Sequence, residues 1–462
     1  MPRSPDRCIV AALVAAELAI GGAYLARGAG YVLDDWFTLG NAKVGGVWAT
    51  PGHLIFLNRP GAGLLYCLVF GVFGGHPAIG LALLTALSAL SAALLYVLCR
   101  RFVAAPIAAG IAAVWVVLPN HTSLEFWQSC VPLATATAMT LVAGIVIARR
   151  DPTRQRIACA ALIVTAASLT YEAVFPVGAL ALVALPWLAG APWRWRHACA
   201  RAATLLPAAV YLVVFRSTQK QISKVAPLQQ VVAGHFGWGV VPNGIGATIL
   251  LLAAAAIITV SAARLALPGF RGATGVGERL IAVGLVVIVA GTLPFSFYLY
   301  SPLGAGDRFN LVSSVGGALA WAGIGVVLWR WRALTIAMAT VVAVMGMTAR
   351  VQRLERWTTA ARDGQRITSA VTERFPRAPG GLVVLGPSPV QDHNIAAFLD
   401  QSNVLGMLRF LYGRDVRGGI AYRRADYRRV PRHSRFDLWR LSHLRADVDL
   451  SSDQQGVPTH SP

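Results

Sequence analysis

Long apolar runs separated by short, arginine-bearing breaks set the pattern of this chain. The runs cover residues 9–26, 61–75, 78–98, 103–119, 131–148, 157–173, 174–190, 201–215, 244–263, 280–300, 309–328 and 333–349. Several reach the roughly 20 residues that a helix needs to cross the hydrocarbon layer of a membrane. The run at 61–75 is short and ends in Gly74-Gly75-His76-Pro77. It predicts a helix lying along or dipping into the membrane surface, with a short second span as the other reading. At 173–174 two runs adjoin with almost no loop, around Tyr171-Glu172 and Pro176. After Arg350 the pattern changes. Residues 350–375 mix arginines with Glu355, Asp363 and Glu373, which predicts a helix leaving the membrane. Gly381–Leu385 reads as a short buried strand. Residues 392–412 read as a helix, with apolar residues at Ile395, Phe398, Leu399, Val404, Leu405 and Leu408.

Composition agrees with the pattern. Hydrophobic residues make up 56% and charged residues 13%, against roughly 25% charged in soluble domains. The formal net charge is +21, from 41 Lys plus Arg against 20 Asp plus Glu. In a soluble protein that excess would suggest nucleic acid. Here the arginines cluster between apolar runs, so they read as topology signals and as attraction for anionic lipid headgroups, with no nucleic-acid partner.

Arg3 and Arg7 precede the first run, which puts the N-terminus in the cytoplasm. That run is read as a retained span, not a cleaved signal. If 61–75 does not cross, the clusters at 100–101, 149–156, 194–201, 264–279 and 330–332 all fall inside. The loops at 28–60, 120–130, 217–243 and 301–308 then fall outside. The expected fold is an all-α polytopic membrane protein of about eleven transmembrane helices, with surface-lying helices in the first external loop. A small C-terminal α/β external domain follows. The expected division is 1–349 membrane domain, 350–450 external domain and 451–462 disordered tail. A bacterial inner or plasma membrane is the expected location, with the C-terminus external.

Cys8, Cys67, Cys99, Cys130, Cys159 and Cys199 form no Cys-x-x-Cys pair, and no disulfide framework or metal site is read from them. The groups on the expected external side able to do acid–base work are few: Asp34, Asp35, His53, His121, Glu125, Glu172, His235 and Asp307. Arg59 and Arg308 are the candidate anion binders, supported by Lys43, Lys220 and Lys224. The adjacent pair Asp34-Asp35, directly after the first span and followed by Trp36, stands out. Such carboxylates can cap a helix, act as a general base, or share a divalent cation, and the sequence leaves the cofactor requirement open. Glu172 lies between apolar residues on both sides, where a carboxylate marks a functional site by default. Arg308 could hold a phosphate through two parallel hydrogen bonds, or pair with its neighbour Asp307. His121 and Glu125 fall one helical turn apart and by themselves read as ordinary polar surface.

Four pieces in order carry a family resemblance. They are Asp34-Asp35-Trp36; Asn58-Arg59-Pro60 leading into Leu64-Leu65-Tyr66 and Val72-Phe73-Gly74; a long run ending Leu94-Leu95-Tyr96 and Arg100-Arg101; and Pro119-Asn-His-Thr-Ser-Leu-Glu125. Together they resemble the membrane-embedded glycosyltransferases of the GT-C class, in particular the branch that includes the protein O-mannosyltransferases. The resemblance covers roughly residues 1–190. It implies an enzyme, a hexosyl- or pentosyltransferase, that takes a sugar from a polyprenyl-phosphate donor and passes it to a lipid or glycan acceptor on the external face. It implies Asp34 or Asp35 as the base and Arg59 and Arg308 as holders of the donor phosphate. Glu172, Glu125, His121 and Trp36 are the remaining substrate-contact candidates. The alternatives are a transporter or flippase for a lipid-linked glycan, or a polymerase or ligase of another fold.

The arginine pattern makes the orientation testable. Reporter fusions after residues 101, 152, 196 and 331 should read cytoplasmic, and fusions after 40, 228 and 304 external. An external signal after residue 101 would mean that 61–75 crosses the membrane.

Overall fold

The structure, a computed structural model, describes residues 4–28, 30–49, 59–189, 194–216, 235, 275–295, 304–377, 383–385, 390–392, 395–413, 418–420 and 435–436. The expected span at 244–263, the groups His53, Asn58, Lys220 and Lys224, the arginines between Arg423 and Arg432, and the tail lie outside these residues.

The described part is mostly helical. In chain order the helices are α1 Ser4–Ala26, α2 Asp34–Gly45, α3 Pro60–Tyr66, α4 Pro77–Cys99, α5 Ala105–Val117, α6 Val131–Ile147 and α7 Arg154–Thr170. They continue with α8 Phe175–Leu188, α9 Trp195–Ala203, α10 Leu206–Arg216, α11 Val276–Thr292, α12 Leu311–Val327, α13 Arg332–Arg374 and α14 Gln401–Tyr412. Among the described residues six helical stretches are long and apolar enough to cross a membrane, and a seventh if α9 and α10, bent by 52°, form one span. The chain is an integral membrane protein. Helices α3, α4, α5, α6 and α8 open with proline in the first turn, at Pro60, Pro77, Pro106, Pro132 and Pro176. Proline suits that place because its missing N–H would have no helical partner there.

Without water to expel, packing in a membrane relies on close backbone approach. Helices α11 and α12 show this. A Cβ added at Gly284 would lie 2.6 Å from the Gly316 carbonyl oxygen, and one at Gly323 would lie 2.7 Å from that of Gly277. Helix α3 ends in a π-helical turn, Cys67–Val72. Gly61 in α3 abuts Thr170 at the end of α7, and Gly71 in the π-helical turn abuts Val47 just after α2. Both ends of this short segment are therefore packed closely against neighbouring elements. Near the start of α1, Asp6 accepts hydrogen bonds from the Tyr96 hydroxyl and, at 3.2 Å, from Arg100 Nε.

Helix α13 is the spine. At 43 residues it runs about 65 Å, so the expected last span and the expected helix at 350–375 are one continuous element. Its second half buries Trp357, Ala360, Ala361, Ile367 and Val371. The C-terminal segment adds a three-stranded parallel sheet with β1 Val383–Leu385 between β4 Gly418–Ile420 and β5 Arg435–Phe436. The strands β2 Val390–Asp392 and β3 Ile395–Ala396 pair antiparallel.

Two expectations are corrected. The helix expected at 392–412 begins only at Gln401. Asp400 and Asn403 form a reciprocal capping box that fixes the start, and the preceding residues pair as β3 and bury Phe398. His121 and Glu125 are not surface residues: their exposures are 0% and 2%. The reason is a cation on α13. Arg350 is buried and contacts Glu125 and, at 3.4 Å, Glu17 of α1.

Removing one partner from a buried charged cluster leaves the others uncompensated, at a cost of roughly 3–5 kcal/mol. Arg350→Leu should therefore lower the thermal midpoint in detergent strongly. Adding Glu17→Leu and Glu125→Leu should restore most of the loss. An unchanged midpoint for Arg350→Leu would show that the cluster does not hold the bundle together.

Candidate functional site

The site is built around the turn that enters α2. Leu33 has φ 51° and ψ −128°, a backbone region that costs a non-glycine residue about 1–3 kcal/mol. The surroundings hold it there: its side chain is buried and its N–H donates to the Ala397 carbonyl at 3.0 Å. Asp34 and Asp35 follow in the first helical turn, where negative charge meets the positive end of the helix dipole.

The two carboxylates part ways. Asp35 is fully buried and accepts from Ser129 N at 2.8 Å, Ser129 Oγ at 2.6 Å and Val32 N at 3.3 Å. It ties α2 to the turn that begins α6. The Asp34 side chain is 52% exposed, and its Oδ2 lies 3.9 Å from Arg308 Nη1. Its Oδ1 accepts from Asn403 Nδ2 of α14 at 3.4 Å. Trp36 is buried, stacked on Phe398 at 5.5 Å between ring centroids, and is a wall of the site and not an open contact.

Arg308 is aimed by its neighbour. Asp307 is buried and accepts from Thr122 N and Ser123 N at 2.9 Å each, from both hydroxyls, and from Arg353 Nη1 at 3.3 Å. The sequence had left an Asp307–Arg308 pair open, but Asp307 is fully engaged elsewhere. Arg308 turns to the other side, with its guanidinium carbon 4.4 Å from the centre of the Trp127 ring. Its Nε has no hydrogen-bond partner among the described residues.

The other expected site residues have partners of their own. Arg59 and Glu172 close on each other through two hydrogen bonds of 2.5 Å, with Arg59 stacked 4.3 Å over Tyr171. His121 is stacked on Trp115 at 4.6 Å, and its Nδ1 meets Asn120 Oδ1 at 3.0 Å. Asn120 in turn meets His235 Nδ1 at 3.1 Å. His121 and Glu125 thus belong to a buried polar layer, while Asp34 and Arg308 meet where both side chains are partly exposed. Sequence reasoning missed Glu17, Arg350, Arg353, Trp127 and Asn403. Glu17 had a signal, since a carboxylate inside the first apolar run needs a partner. Asn403 had none, because only the fold brings it to Asp34.

The environment sets the protonation of these groups. Burial pushes the Asp35 carboxyl up to about 7, against the lowering effect of its hydrogen bonds from Ser129 and Val32. Asp34 is reached by solvent on one side and hemmed by protein on the others. That loss of hydration raises its pKa; Arg308 and Asn403 pull it down, and Asp400 pushes it up. Burial, then Arg350 and Arg353, lowers His121 well below the usual imidazole value, which leaves it neutral near pH 7. Among the described residues no three His, Cys, Asp or Glu side chains gather as a cation cage.

No known family profile and no curated protein sequence matches this chain. Among solved structures it is similar to the crystal structure of ArnT from Cupriavidus metallidurans bound to undecaprenyl phosphate. The identity is 13% over 94% of this chain and 90% of that chain, with a TM-score of 0.49. A likeness at that level leaves function to be argued from the residues.

Asp35 gives a signed pH prediction. A carboxyl raised in the folded state contributes stability that is complete below about pH 4 and is lost as pH rises to about 7. Asp35→Asn cannot ionise, so its thermal midpoint in detergent should fall less than that of the wild type across this window. Parallel curves for the two proteins would show that Asp35 does not titrate there.

Proposed function

We propose that the protein is a GT-C-type membrane glycosyltransferase that moves a sugar from a polyprenyl-phosphate donor to an acceptor hydroxyl at the external face. The observation that carries this reading is the Asp34–Arg308 pair. A solvent-reached carboxylate lies 3.9 Å from a guanidinium that rests on an indole. That combination offers a proton acceptor and an anion holder in one cleft.

In this reading Asp34 takes the proton from the acceptor hydroxyl. The acceptor oxygen attacks the anomeric carbon, and the bond to the donor phosphate breaks on the opposite face. The phosphate leaves with the bonding electrons, and the anomeric centre inverts. Arg308 stabilises the charge that develops on the leaving phosphate, an effect strong in a partly desolvated cleft. A carboxylate raised by its surroundings is better matched to proton transfer near neutral pH than a free one. The three bonds on Asp35 support a scaffold role for it and give the base role to Asp34. Arg59 is occupied by Glu172, so the phosphate role goes to Arg308.

The test is transfer of labelled sugar from polyprenyl-phosphate donors in proteoliposomes. Asp34→Asn should lower the rate by roughly 10²–10⁴ while the protein stays folded. Arg308→Ala should weaken both donor binding and turnover, because the phosphate is held in the ground state and more tightly as it leaves. Full transfer by Asp34→Asn would move the base elsewhere. No transfer by the wild type from any such donor would overturn the assignment.

A further inference from the structure

The acidic pair stands near the start of the chain, yet one of the atoms that touches it comes from residue 403. Helix α14 crosses α2 at very short range. A Cβ at Gly40 would lie 2.1 Å from the Gly406 carbonyl oxygen, and one at Gly406 would lie 2.2 Å from that of Trp36. Two glycines facing each other let the helix axes approach. Arg409 Nη1 donates to Asn41 Oδ1 at 2.7 Å one turn further on. Trp36, Tyr31, Phe398 and Phe410 pack alongside. The contact brings the first turn of α14 against the first turn of α2.

Asn403 sits in that turn and is fully buried. Its orientation is settled by its hydrogen bonds. The side-chain oxygen accepts from Leu399 N at 2.9 Å and Asp400 N at 3.3 Å, as half of the capping box that starts α14. An amide whose oxygen is held by two N–H donors must present its NH2 on the other side. That side is Asp34 Oδ1, at 3.4 Å. The other carboxylate oxygen faces Arg308. A carboxylate gripped on one oxygen by a neutral donor and on the other by a cation has its plane fixed.

We propose that Asn403 is a positioning residue for the Asp34 carboxylate, fixing its plane and favouring its ionised form through the side-chain amide. The inference rests on Asp34 being the base, but Asn403 is not itself a catalytic group. The C-terminal segment thereby supplies part of the site that the first loop opens.

The experiment reads Asp34 directly as well as through turnover. Asn403→Asp keeps an oxygen for the two backbone N–H groups and replaces the NH2 by a second oxygen against Asp34. Carbodiimide labelling of Asp34, followed by mass spectrometry across pH in the full chain, gives its titration midpoint. The midpoint should rise by about one pH unit or more, since a hydrogen bond to the charged form is lost and a like charge added. Asp400→Asn keeps a capping side chain and removes a negative charge that acts on Asp34, so its midpoint should fall.

In transfer assays the acid limb of kcat should follow the labelling midpoint in both variants, with KM for the donor little changed. If Asn403→Asp does not fold, Asn403→Ser removes the amide without adding charge and should shift the midpoint the same way by less. The uncharged variant decides: with a merely structural role Asn403→Ser would lower thermal stability and leave the Asp34 midpoint in place, and that result overturns the proposal. The labelling result stands even if no donor is transferred, so failure of the glycosyltransferase reading and failure of this inference are told apart.

Discussion

The structure depends on burying two guanidinium groups of one helix in a low-dielectric interior. Arg350 and Arg353 lie on the same face of α13, with exposures of 1% and 4%. An arginine cannot shed its charge, so each must meet carboxylates there. Arg350 meets Glu17 and Glu125, and Arg353 meets Asp307. These contacts join the first helix, the loop between α5 and α6, the turn before α12 and the long spine. The Asp34 and Arg308 segments are both fastened to this layer, Arg308 through Asp307 and Asp34 through Asp35 and the loop that carries Glu125.

The division between the layer and the cleft explains the division of labour among the acidic residues. Asp307 and Asp35 have their oxygens committed to protein groups, Glu125 meets Arg350 through one oxygen, and all three hold loops in place. Asp34 alone of the acidic pair is left facing an accessible space. Adjacent residues at the start of a helix point about 100° apart. A neighbouring pair is therefore a poor joint ligand and a good arrangement for one anchor and one reactive group. The strained backbone at Leu33 belongs to the same arrangement, since it sets the direction in which α2 leaves the turn.

Much of the helical frame was legible in the sequence. Apolar runs flanked by proline and arginine have a simple physical meaning in a bilayer, and the long runs appear as helices. The acidic pair and Arg308 were legible as isolated charges beside apolar runs. Which of them faces solvent was not, because exposure is decided by groups distant in sequence: Ser129 engages Asp35, and Thr122, Ser123 and Arg353 engage Asp307 away from Arg308. His121 and Glu125 were misread as surface for the same reason: a loop of mixed polarity looks solvated until a cation from elsewhere is seen to fill its centre. The start of α14 was misplaced because the apolar spacing of 395–399 suits a helix, while pairing with β2 and the stacking of Phe398 on Trp36 override it.

The crossing of α2 and α14 has a consequence for how the protein comes into being. Ribosomes deliver the acidic pair early, and the membrane helices follow in sequence over some hundreds of residues. The surface against which α2 finally packs does not exist until the chain has been made past Gly406. A nascent chain therefore passes through synthesis with its acidic turn in place but unclamped, and native contacts so distant in sequence form late. The site therefore waits on residues past Gly406, and a product truncated before them would carry the preceding spans without a finished site.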